Sequence, residues 1–104
     1  MSDVQVETTR NTEAGTLTVV EHHGVTGFYW EIQGRDCTIT AELRPFYCDR
    51  GNYIAKLHPN PGSALALEID ASDGWPRYFF DRDRMFEELS AWLHKRGQMP
   101  DAVE

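Results

Sequence analysis

"FYWEIQGRDCTITAEL", residues 28 to 43, is the stretch whose reading decides the fold. Phe28, Trp30 and Ile32 alternate with Tyr29, Glu31 and Gln33. After a break, Cys37, Ile39, Ala41 and Leu43 alternate with Thr38, Thr40 and Glu42. Successive side chains of a strand point to opposite faces, so this period of two predicts two strands, each apolar on one face only. The "GRD" of residues 34 to 36 is a short turn between them, which makes the pair an antiparallel hairpin.

The same alternation extends outward. "TLTVVEH" carries Leu17 and Val19 on one face and reads as the strand before the hairpin. Pro45 lacks a ladder donor and is expected to end the second hairpin strand, leaving "PFYCDRG" as a loop. "NYIAKLH" and "ALALEID" read as two further strands joined by the turn "PNPGS", with Leu65, Leu67 and Ile69 inward. "ASDG" is another turn and "RYFF" a last short strand. Phe79, Phe80, Trp75 and Trp92 are expected in the core.

A helix over 82–96 follows. Asp81 or Asp83 supplies the cap, Phe86, Leu89 and Leu93 recur at helical spacing, Lys95 and Arg96 sit late, and Gly97 and Pro100 stop it. One amphipathic helix must bury its stripe, and the sheet is the surface on offer. The expected fold class is therefore α+β: an antiparallel β-sheet of five to six strands with one C-terminal α-helix packed on one face. A chain of 104 residues fits a single domain, 1–104, whose first 15 residues either fray or add an edge strand.

Composition narrows the class of partner. Apolar residues at 40% exclude a disordered chain. The net charge of −7 disfavours direct binding to nucleic acid or anionic membrane, where cations must replace counterions. The imbalance is concentrated early: residues 1–34 carry five acids (Asp3, Glu7, Glu13, Glu21, Glu31) against the single base Arg10. The acidic start lacks the basic and apolar regions of a signal peptide, so cytoplasmic residence is expected, with Cys37 and Cys48 as reduced thiols.

Chemistry-bearing motifs are scarce. His22 and His23 are adjacent at the end of a strand and point to opposite faces, which prevents joint chelation of one metal unless the strand ends between them. They read as exposed or hydrogen-bonded, as do His58 and His94. Cys48 lacks an activating context, no glycine-rich loop leads into a helix, and Asp70 and Asp73 read as turn formers. No catalytic residue, metal ligand or cofactor site is expected, and the reading is non-enzymatic. Aromatic and acidic residues without a core role remain: Tyr29, Glu31, Tyr47, Tyr78, Asp83, Glu87 and Glu88 are the expected partner-binding residues, since interfaces combine tyrosine area with orienting charge.

"CDRGNYIAKL" and "LEIDASDGWPRYFFDRDRMFEELSAWLHKRGQ", together spanning about residues 48 to 98, resemble small proteins encoded by phages and other bacterial mobile elements. The likeness lies in the D-G-W-P-R-Y-F-F-D segment and the helix ending in an aromatic, a leucine and basic residues. The resemblance implies an inhibitor that blocks a host factor, with anti-CRISPR proteins as the best-known class. The expected partner is then a protein with a basic, nucleic-acid-handling surface. The alternative class is a self-associating module, a homodimer joined through an open sheet edge or the outer face bearing Tyr29.

Overall fold

The computed structural model describes residues 4–24, 27–48, 51–69 and 73–99, with backbone alone at 44–48. Six strands, β1 (Val4–Thr12), β2 (Gly15–His23), β3 (Phe28–Gln33), β4 (Cys37–Cys48), β5 (Gly51–Pro59) and β6 (Arg77–Phe79), form one antiparallel sheet in the order of the chain. A short helix, α1 (Ala64–Glu68), lies between β5 and β6, and α2 (Arg82–Lys95) follows β6. The expected α+β architecture is what the chain adopts, with β1 as an edge strand.

The central hairpin forms as its alternation predicts, with Trp30 opposite Ala41 and Ile32 opposite Ile39. Leu17, Val19, Trp30, Ile32, Cys37, Ile39, Ala41 and Ala55 supply the inner face of the sheet. Met85, Phe86, Leu89, Trp92 and Leu93 of α2 close over it. Asp81 caps the helix by accepting the Arg84 amide at 2.8 Å. At the other end Gly97, with φ +69°, turns the chain, and the Gln98 amide reaches back to the Leu93 carbonyl at 2.7 Å. The Gln98 side chain then accepts the Asp36 amide at 2.7 Å, latching the helix end to the β3–β4 turn.

Three expectations fail. "ALALEID" is not a strand. Ser63 accepts the Ala66 amide at 3.1 Å and starts α1, in which Leu65 is buried while Leu67 is 87% exposed. Alanine and leucine are strong helix formers, and their alternation copied a strand's period without a second covering layer to sustain it. Pro45 does not end β4. The last β3–β4 pair is Tyr29 with Glu42, so Pro45 lies beyond it, and the register shift between Leu43 and Cys48 absorbs the irregularity. Phe80 is not core: it is 70% exposed, one step past Phe79, which is buried.

The Cys37 thiol is buried, and that burial, helped by the Asp36 carboxylate, pushes its pKa up to about 11 from the ordinary 9.0. The fold thus holds a proton that the unfolded chain gives up first. Stability contributed by this group is complete below pH 9.0 and is lost as pH rises towards about 11. In a Cys48→Ser background, urea unfolding should show this alkaline loss, and adding Cys37→Ala should reduce its slope. Equal slopes in the two proteins would remove the assignment.

Candidate functional site

The outer face of the sheet, opposite α2, follows from register. Gln5, His22, Tyr29, Glu42, Ile54 and Tyr78 stand in one row across all six strands. The next row runs Glu7, Val20, Glu31, Thr40 and Lys56. These positions alternate with the core residues of the same strands, so the helix cannot reach them.

His22 and Tyr29 form the centre of this face. As direct cross-strand neighbours their rings stack with centroids 4.4 Å apart and planes within 4°. His22 is buried by that stacking, and its Nε2 is hydrogen-bonded to the Glu31 carboxylate. Tyr29 itself is 38% exposed. Further along, Thr40 Oγ1 lies 2.9 Å from His58 Nε2. The result is a mixed polar and apolar surface with a pre-ordered aromatic pair and Glu31 and Glu7 beside it.

The expected partner-binding residues do not form one site. Tyr29, Glu31 and Tyr78 share the outer face, although Tyr78 is three strand spacings from Tyr29, about 14 Å. Asp83, Glu87 and Glu88 lie on α2, on the other side of the sheet. They are also engaged within the chain: Asp83 pairs with Arg10, Glu87 accepts the Glu13 amide at 3.1 Å, and Glu88 accepts from Arg84 at 2.7 Å. The Tyr47 side chain lies outside the described residues, as does that of Cys48.

His22, expected to be exposed or hydrogen-bonded, is hydrogen-bonded, and it is the residue of this face that the expected partner-binding set left out. The signal was present in "HHGVTGFY": pairing Gly24 with Gly27 puts residue 22 opposite 29 and leaves 31 one diagonal step away. His23, by contrast, points to the helix side, where its ring tilts against Phe28 at 4.6 Å.

Among the described residues, no three His, Cys, Asp or Glu side chains gather as a metal site, and no helix is long and apolar enough to cross a membrane. A cleft of about 260 Å³ opens on the helix side, between Arg10, Glu21, Trp30, Arg82 and Phe86. Two of its polar groups are already used, Arg10 with Asp83 and Glu21 with the Trp30 indole N–H at 3.4 Å. No protein-family model, curated protein or solved structure matches this chain.

Proposed function

We propose that this chain is a small non-enzymatic binding protein of phage or mobile-element origin. In this reading it acts in the bacterial cytoplasm and blocks a nucleic-acid-handling host factor that carries a basic surface, as anti-CRISPR proteins do. The observation that carries the choice of surface is the stacked His22–Tyr29 pair bonded to Glu31 on the helix-free face. A ring already held by its neighbours loses little freedom on binding, so its buried area converts more fully into affinity. The carboxylates beside it match a basic partner, in keeping with the net charge of −7. The acids of α2 are weaker candidates because they lie on the other side of the sheet, away from the stacked pair, and are tied to Arg10, the Glu13 amide and Arg84.

The test is target-DNA cleavage by purified single-effector and multi-subunit CRISPR nucleases with and without the chain. At least one should be inhibited, less so as salt is raised. Tyr29→Ala combined with Glu31→Lys should weaken that inhibition by about 30-fold or more, the effect of losing a central interface residue. Glu88→Lys should change it by less than about threefold, as for an exposed helix pair. Full cleavage by every nuclease would end the anti-CRISPR reading. Inhibition lost in Glu88→Lys and kept in the double variant would move the partner to α2.

A further inference from the structure

β1 is nine residues long, lies at the margin of the sheet and pairs with β2 alone. Which of its backbone groups face outward follows from the neighbouring hairpin. Gly24 and Gly27 exchange both N–H···O=C bonds, at 2.8 and 3.3 Å. Bonded and non-bonded pairs alternate along an antiparallel ladder. Counting back, His22–Tyr29 and Val20–Glu31 are bonded pairs, so the odd-numbered residues of β2 turn their backbone groups to β1. The bonded pairs of the first hairpin are therefore Val4–His23, Val6–Glu21, Thr8–Val19 and Arg10–Leu17. The amides and carbonyls of Gln5, Glu7, Thr9 and Asn11 point away from the sheet, with no backbone partner among the described residues.

A second feature of β1 lies on its helix side. α2 arrives over the later part of the strand: Arg10 lies over the Phe86 ring at 4.4 Å and pairs with Asp83, and the Ser90 hydroxyl is 2.7 Å from that of Thr12. The earlier part is left bare, with Val4 55% and Val6 42% exposed. A long edge without proline, lysine or bulge is a template for another strand.

We propose that the strand it takes is β1 of a second copy of this chain, antiparallel, about a two-fold axis through Thr8. In that register Glu7 of each copy opposes Thr9 of the other and Gln5 opposes Asn11. Each of these pairs exchanges two backbone bonds, so about eight close the edge. Sliding by two residues one way sets Glu7 against Glu7, and sliding the other way leaves Gln5 unpaired. A slide by one would mismatch the two faces of the sheet. The antiparallel sense also brings the bare Val4 and Val6 of one copy beside Thr12 and Arg10 of the other, next to that copy's α2. The contact is isologous and closed. It sets both helix-free faces side by side, so two His22–Tyr29–Glu31 clusters share one continuous surface. This assembly does not depend on the identity of any partner.

Sedimentation velocity over a concentration series up to millimolar should report the mass of two 11.9 kDa chains. Thr9→Pro removes an amide that the fold does not use, a change that edge strands tolerate. It should weaken the dimer more than tenfold while leaving the circular dichroism unchanged. Thr8→Cys should form a disulfide-linked dimer on mild oxidation, because non-bonded cross-strand pairs sit about 4.5 Å apart, within disulfide reach. Val4→Cys should not. A monomer at all concentrations, a dimer indifferent to a folded Thr9→Pro, or linkage through Val4→Cys in place of Thr8→Cys would each overturn the proposal.

Discussion

Leu89→Ala is expected to destabilise the protein by about 2–5 kcal/mol, the cost of emptying a fully packed aliphatic site. Leu89 has no exposed surface and sits mid-helix among Met85, Phe86, Trp92 and Leu93, against the inner face of the sheet. A domain of this size has about 5–15 kcal/mol to lose, and about 1 kcal/mol shifts the melting temperature by about 4–8 °C. Calorimetry should therefore show a fall of at least about 8 °C. Leu67→Ala makes the contrast. At 87% exposure it should change stability by less than about 0.5 kcal/mol. A large loss there would mean that residues 64–69 pack as a strand, with Leu67 inward.

Gly51→Ala should be nearly as costly, for a different reason. Gly51 opens β5 with φ +137°, a conformation that L side chains rarely adopt. A methyl group there would lie 2.4 Å from the Phe79 carbonyl oxygen, 2.5 Å from its carbon and 2.8 Å from its nitrogen. All three atoms are backbone, so β6 itself must move. That strand is three residues long and holds its place through pairing with Tyr53, Ile54 and Ala55. Unfavourable φ contributes about 1–2 kcal/mol and overpacking about 1–3, giving about 2–5 in all. Gly74→Ala separates the two contributions. It has φ +80° but open space around the added carbon, and should lose only the first. Hydrogen exchange should show the β6 amides losing protection in Gly51→Ala alone. Equal losses in the two variants would dispose of the close approach.

The elements legible in the sequence are those whose local preferences and tertiary needs agree. Residues 30 to 41 alternate because one face is covered by α2 and the other faces outward, so period and burial give the same answer; at the ends Phe28 and Leu43 keep the parity but lie past the helix's cover, 37% and 48% exposed. The helix is marked by its cap at Asp81 and its stop at Gly97. α1 does not follow the strand reading because only Leu65 of its two leucines is buried, so the alternation has no covered face behind it. β4 was cut short because the rule for proline in a sheet ignores where the neighbouring strand ends. The site was half legible. Tyr29 and Glu31 share a face by parity, which any reader of the strand can count. That Asp83 finds Arg10, 73 residues away, depends on how α2 lies across the sheet, and no local pattern encodes it.

The order of the elements along the chain has a consequence for biosynthesis. Each strand of the meander can pair with its predecessor as soon as both have been made. The helix that covers the inner face follows all six strands. During translation, the surface formed by Leu17, Val19, Trp30, Ile32 and Ile39 therefore waits uncovered for the last element, and the Gln98 latch to the Asp36 turn closes later still. A nascent sheet in this state is the form most exposed to chaperones and to aggregation.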